Sequence, residues 1–334
     1  MDWYYILLIA VAVTVLFVIV SAFMTAAIIY KIIFGSRQDK NPMFRYFTAE
    51  DFGLTKEKFH VKYGRAELNS NLYFAQPVES CEKVVVFVHG FGAGSASYTT
   101  EIAHFARAGY AVVATDAYGC NGSAGNNIKG FYAGTQAVIA TFEAVKADAR
   151  LNGKKTVLVG HSWGAYSVLT AAERVQADGV VALSSFDKPA QSICDNLIKM
   201  RALRFYAKIL CVDFWFIKLF KFGVRGNRSA VKAVEKSGVP ALLIHGEKDG
   251  VVPLKHSAAQ RAQGGNIQKL ILKDKRHNPY NTVAAEQKLA ELGGADRGGD
   301  AADGNNFFQN FDWSAATEED AEVMGKIDEF IASV

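Results

Sequence analysis

Between Val84 and Leu272 the chain repeats one pattern: a short apolar run, a turn, a helix-length segment, and another short run. The runs are Val84–Val88, Ala111–Thr115, Thr156–Val159, Gly179–Ser184, Pro240–Ile244 and Lys269–Leu272. Thr99–Ala108, Gly134–Ala149, Ser162–Val175 and Leu254–Ala262 read as the helices between and after them. Short strands with so few polar interruptions are buried on both faces. The pattern therefore predicts an α/β fold: a mostly parallel, doubly wound sheet with helices on either side. His60–Tyr63 and Glu67–Phe74 add an antiparallel pair around Gly64–Arg65. In such sheets ligands bind beyond the carboxyl ends of the strands, so the motifs there carry the functional argument.

Gly160–His161–Ser162–Trp163–Gly164 lies where the run Lys155–Val159 gives way to a helix. A serine held on so tight a strand-to-helix turn has a strained backbone, and bulky neighbours would clash, which explains the glycines. Its hydroxyl then projects into a cleft while the helix start offers N–H groups to an anion. The plainer alternative is a helix that begins at a serine cap.

Three more motifs fall at strand ends. His89–Gly90–Phe91–Gly92 follows Val84–Val88. Its glycines do not make a dinucleotide fingerprint, because Ser95 stands where the last glycine belongs. Asp116–Ala117–Tyr118–Gly119–Cys120–Asn121–Gly122–Ser123 follows Ala111–Thr115. His245–Gly246–Glu247–Lys248–Asp249 follows Ala241–Ile244, and Arg276–His277–Asn278–Pro279 follows the last strand. Across residues 57–334 these motifs, in this order, resemble the α/β-hydrolase superfamily. Within it they are most similar to the branch of monoacylglycerol lipases and serine aminopeptidases, which carries a helical cap. The resemblance implies that Ser162 is the nucleophile, Asp249 the acid and His277 the base, with the N–H groups of Phe91 and Trp163 as the oxyanion hole. Glu247 and Asp274 compete for the role of the acid. His277 stands alone among the seven histidines in following the final strand. The chain departs from the family's D-x-R-G-x-G-x-S loop at Tyr118, where arginine is usual.

Tyr4–Tyr30 contains no charged residue over 27 positions, more than the roughly 20 needed to span a bilayer. Trp3, Tyr4 and Tyr5 at one end and Tyr30 at the other suit interfacial belts. A cleaved signal peptide would want basic residues before a shorter apolar core, and only Asp2 precedes this one. Residues 1–34 therefore read as a transmembrane anchor, 35–56 as a polar tether, and 57–334 as the hydrolase domain. Lys31, Arg37, Lys40 and Arg45 follow the span and place that domain in the cytoplasm. Cys81, Cys120, Cys194 and Cys211 show no metal-binding spacing and are expected as free thiols. A net charge of +4 gives no argument for nucleic acid.

Residues 186–238 are too long for a plain crossover and are expected as a helical cap. Its aromatics, among them Phe205, Tyr206, Phe214, Trp215, Phe216, Phe220 and Phe222, interleave with Lys199, Arg201, Arg204, Lys208, Lys218 and Lys221. They either pack the cap on the core, or part of their face forms an acyl pocket or dips into the membrane beside the anchor. Residues 293–313, rich in Gly, Asp and Asn, read as a mobile loop before a last helix Thr317–Ile331. Asp296, Asp300 and Asp303 lack the spacing of a calcium loop.

The expected activity is cleavage of lipid-like or other apolar carboxylic esters through an acyl-enzyme, with no metal or cofactor. Peptidase, amidase or acyltransferase chemistry on the same residues, and an inactive membrane-anchored binding protein, stay open as alternatives. The oligomeric state is not set by the sequence.

Overall fold

The structure, a computed structural model, describes residues 2–199, 206–295 and 307–334. Its centre is an eight-stranded sheet. The strands are β1 (Thr55–Tyr63), β2 (Ala66–Phe74), β3 (Lys83–Val88), β4 (Ala111–Thr115), β5 (Lys155–His161), β6 (Gly179–Leu183), β7 (Ala241–Gly246) and β8 (Ile267–Leu272). Their order is β1-β2-β4-β3-β5-β6-β7-β8. The pairs β1·β2 and β2·β4 are antiparallel, and the others are parallel.

Burial explains the apolar runs. Val84, Val86 and Val88 enter one core layer, Val85 and Phe87 the other, and all of β3 is buried. The first layer is covered by α3 (Tyr132–Ala147) and α4 (Trp163–Ala172). The second is covered by α2 (Thr99–Arg107) and the C-terminal helix Ala321–Ser333. The register pairs Val88 with Gly160 and His161 with Leu183, so the strand ends carrying the motifs lie side by side.

The first helix, α1 (Trp3–Phe34), is long and apolar enough to cross a membrane by length and composition. Residues 2–20 are all exposed. Beyond them Ala22, Ala26, Tyr30 and Phe34 are buried, one stripe at four-residue spacing set against the sheet domain. Gly35 to Lys40 then run along the Asp116–Ser123 loop. The Gln38 N–H donates to the Gly119 carbonyl, and the Asn121 N–H donates to the Gln38 carbonyl, each at 2.9 Å.

Between β6 and β7 lie α5 (Pro189–Ile198), α6 (Ala207–Phe222) and α7 (Ala230–Ser237). Here α6 packs on α1 and α5, whereas α7 packs on α4 as a cover of the sheet. Phe205, Arg201 and Arg204 lie outside the described residues. The expectation of four free thiols is corrected. Cys194 and Cys211, 5.8 Å apart at Cα, are joined by a disulfide that staples α5 to α6, while Cys81 and Cys120 are free and buried. Sequence spacing did not show this pair because helices of the insert bring it together.

Other boundaries moved for local reasons. The β1·β2 pair begins at Thr55, five residues before His60. The segment Leu254–Ala262 breaks at Ser257, whose hydroxyl caps the short helix α8 (Ala258–Arg261). The last helix starts at Ala321 under an Asp320 cap. The expected mobile loop falls on α9 (Val283–Ala295) and on residues outside the description, Asp296, Asp300 and Asp303 among them. Its end is packed: Phe308, Phe311 and Trp313 are buried in a small cluster with Phe44 and Phe47.

Candidate active site

Ser162 occupies the turn between β5 and α4 with φ of +55°, a left-handed conformation rare for a serine. The flanking glycines permit it. A Cβ on Gly164 would stand 2.0 Å from the Val88 carbonyl oxygen, and one on Gly160 would stand 2.5 Å from the backbone of Gly164. Ser162 Oγ lies 3.0 Å from His277 Nε2. His277 Nδ1 lies 2.8 Å from Asp249 Oδ2. Asp249 Oδ1 accepts the N–H groups of Val251 and Val252 at 2.7 and 2.9 Å. Burial opposes charge on Asp249, but the hydrogen bond and charge of His277 outweigh it and hold the carboxyl below its ordinary range. Glu247 and Asp274 are exposed, and Asp274 pairs with Lys248 instead.

The N–H of Trp163 opens α4, and that of Phe91 lies in the loop after β3. Among the described residues neither has a protein acceptor. The Phe91 loop is held from several sides. Gly92 N–H donates to the Gln38 side-chain oxygen at 2.7 Å. Gly90 N–H donates to the Tyr98 hydroxyl at 3.0 Å, which in turn lies 2.8 Å from His161 Nδ1. His161 Nε2 reaches the His277 carbonyl at 2.9 Å. Burial, then the neighbouring His277, push His161 down to about 3, so it is neutral at ordinary pH. The Tyr98 hydroxyl therefore donates to Nδ1, and Nε2–H donates to the carbonyl. One chain of hydrogen bonds thus links the Phe91 loop to the backbone of His277.

The remaining histidines have other partners. His89 Nε2 accepts the Ala117 N–H at 2.9 Å, tying two of the motif loops together. Buried His245 donates to the Val252 carbonyl at 3.0 Å. His60, His104 and His256 face the carboxylates of Glu67, Asp328 and Asp195.

Four contributors were not found from the sequence: Gln38, Tyr98, Phe131 and Phe34. Phe34 packs edge-on against Phe91 and Phe131 at ring distances of 5.7 and 5.0 Å. Phe91 and Phe131 meet Trp163 at 5.7 and 6.2 Å, and Phe131 meets Phe186 at 5.1 Å. An aromatic cluster therefore runs from the end of α1 to the serine turn. Where the Asp116–Ser123 loop has Tyr118 in place of arginine, Arg37 arrives from outside it. Its guanidinium donates to the Ser123 carbonyl at 2.9 Å and to those of Asn121 and Gly125.

A model of the alpha/beta hydrolase family matches residues 85–287. The chain belongs to that family. The esterase Pf2001 of Pyrococcus furiosus has a similar structure, with a TM-score of 0.59 at 15% identity, over 77% of this chain and 96% of the esterase. Est1E from Butyrivibrio proteoclasticus, in a structure with ferulic acid bound, gives 0.51 at 16% identity, over 72% and 98% of the two chains. At such identities the likeness is one of fold. No curated protein sequence matches the chain. In this alpha/beta hydrolase the match runs through Ser162, Asp249 and His277 and includes the α5–α6 insert.

Proposed function

We propose that the protein is a serine hydrolase that cleaves carboxylic esters with apolar acyl groups. The observation that carries this reading is the hydrogen-bonded series Ser162 Oγ, His277 Nε2, His277 Nδ1, Asp249 Oδ2, with spacings of 3.0 and 2.8 Å, together with two N–H groups, of Phe91 and Trp163, that have no protein acceptor among the described residues. In the mechanism Ser162 Oγ attacks the acyl carbon while its proton passes to His277 Nε2. Asp249 keeps Nδ1 protonated and stabilises the imidazolium. The N–H groups of Phe91 and Trp163 receive the oxyanion, where losing one such donor costs about 3–4 kcal/mol in the transition state. Collapse expels the alcohol, which takes the proton from Nε2. Water then gives a proton to the same nitrogen, its oxygen adds to the acyl-enzyme, and the acid and free Ser162 are released.

The aromatic cluster of Phe34, Phe91, Phe131 and Phe186 supports an apolar acyl group, because it stands beside the oxyanion loop. Membrane anchoring by α1 supports a lipid-like one. About 20 residues cross a bilayer core, and residues 2–20 are free of the domain. The stripe from Ala22 to Phe34 belongs to the folded domain, which speaks for a retained helix over a removed leader. Exposed Ile209, Val212, Trp215, Phe216 and Phe220 on α6 extend the apolar surface next to it. The cations after the span favour a cytoplasmic domain, while the Cys194–Cys211 bond favours an oxidising compartment. Protease added to intact cells decides between them, sparing a cytoplasmic domain and digesting an external one.

A series of p-nitrophenyl esters from acetate to dodecanoate tests the substrate. Each methylene is worth up to about 0.8 kcal/mol of transfer, so kcat/KM rises by up to about fourfold per carbon until the pocket is filled. A flat profile across the series would remove the apolar-acyl reading.

A further inference from the structure

A cavity of about 440 Å³ opens where the end of α1, the segment 127–130 and the end of α6 converge. Its walls include Phe34, Ile217 and Phe222, and its lining includes Lys31, Lys129 and Lys221. The junction is built, since a Cβ on Gly130 would stand 2.3 Å from the Tyr30 hydroxyl and 2.8 Å from the Phe222 ring. The Tyr30 hydroxyl donates to the Lys129 carbonyl at 2.7 Å, fixing α1 to that segment. Lys129 Nζ lies over the Tyr118 ring and Lys221 Nζ over the Tyr30 ring, at 4.3 and 5.5 Å. Among the described residues no carboxylate pairs with any of the three lysines. Three lysines on the rim of one apolar hollow, without a counter-charge among the described residues, raise the local potential there and attract an anion.

Depth along α1 says which anion. With Trp3–Tyr5 in the far aromatic belt, Ile6–Thr25 fill a core of about 30 Å. The Lys31 backbone then stands about 9 Å beyond the core, just past the phospholipid headgroups, and its side chain, tilted back toward the helix N-terminus, reaches them. Exposed Met24 and Ile28 on the outer face of α1 carry its apolar surface from the edge of the core into the headgroup layer.

We propose that this cavity binds one anionic glycerophospholipid, with its phosphate on Lys31, Lys129 and Lys221 and the start of an acyl chain against Phe34, Ile217 and Phe222. Phe34 also packs on Phe91, so the bound lipid lies one ring away from the oxyanion loop. The proposal rests on the membrane placement of α1 given above, and it is independent of the chemistry at Ser162.

The test is equilibrium binding of radiolabelled dioleoylphosphatidylglycerol and dioleoylphosphatidylcholine to the full chain in dodecyl maltoside, carrying Ser162→Ala so that no lipid is turned over. We expect one saturable phosphatidylglycerol site, at least tenfold tighter than phosphatidylcholine. Adding K31A, K129A and K221A together should bring the two lipids level, whereas K62A, K232A and K269A together should leave the difference intact. Ile217→Trp should weaken the lipid at least tenfold with the lysines in place, and 50 mM inorganic phosphate should leave most of the lipid bound. Equal affinity for the two lipids, equal loss in both lysine triples, or full displacement by phosphate without sensitivity to Ile217→Trp would overturn the proposal. A chain that carbonate extracts from membranes while still binding the lipid would refute the anchor and leave the cavity standing.

Discussion

Ser162 is held in a conformation its side chain does not favour, and the residues that make this possible are glycines whose Cβ atoms would collide with backbone. The Ser162 turn could be read from the sequence because its requirement is local and fits in five residues. Asp249 and His277 were legible as ends of strands in a known order. Gln38 was not, since it lies outside every motif and acts across the fold on the Gly92 N–H. Its removal tests the oxyanion role proposed for the Phe91 loop. Gln38→Ala should lower kcat by up to about tenfold with KM little changed, less than the 100-fold or more for losing a donor outright, because it frees the loop without deleting a donor. Steady-state kinetics on one ester would show this, and unchanged kcat would mean that the loop is held well enough by Gly90 and Tyr98.

At the scale of elements, β3 to β7 were legible to within a few residues because both faces of each are buried, whereas the half-exposed β1 began five residues earlier than its apolar pattern indicated. The insert between β6 and β7 was expected whole as a cap, yet α7 within it packs on α4 and covers the sheet. The insert's lysines looked alike in sequence, yet Lys218 is buried in α6 with no hydrogen-bond partner among the described residues, and its burial pushes the amine well below 10.5. A lysine depressed in the folded state costs stability below its ordinary value, and the cost grows as pH falls. Lys218→Met should therefore stabilise the protein by about 1–4 kcal/mol at pH 7, and by less as pH rises toward 10.5. Urea unfolding of the two proteins in detergent checks it. A destabilised variant would show that the amine has a role the fold does not reveal. The disulfide was missed for the same reason as the lysine: helix packing, not spacing, places Cys194 beside Cys211.

The whole molecule is tied together on the side of the sheet away from α1 by a cluster between α2 and the C-terminal segment. Burial, then the Glu319 carboxylate, push Glu101 up to about 8. Burial opposes charge on His104, but hydrogen bonds to Asp328 and Glu319 outweigh it and raise it to about 10. Both groups are raised in the folded state, so their stabilisation is present below the ordinary values of 4.5 and 6.5 and lost as pH rises through about 8 and 10. The urea midpoint should fall between pH 6 and pH 9, and Glu101→Gln should remove the lower part of that fall. A midpoint that climbs over this range would mean the cluster is not coupled to folding. On the opposite side α1 reaches the serine turn through Phe34, which joins a helix that looked like a bare anchor to the domain that does the chemistry. The central claim is that this chain holds an activated serine. The most direct measurement is intact-mass analysis of the full-length protein after treatment with a fluorophosphonate. One adduct per chain, mapped to Ser162, absent in Ser162→Ala and slowed at least about 100-fold in His277→Ala, is the predicted result. A folded wild-type chain that takes no adduct, or an adduct that persists in Ser162→Ala, would contradict it.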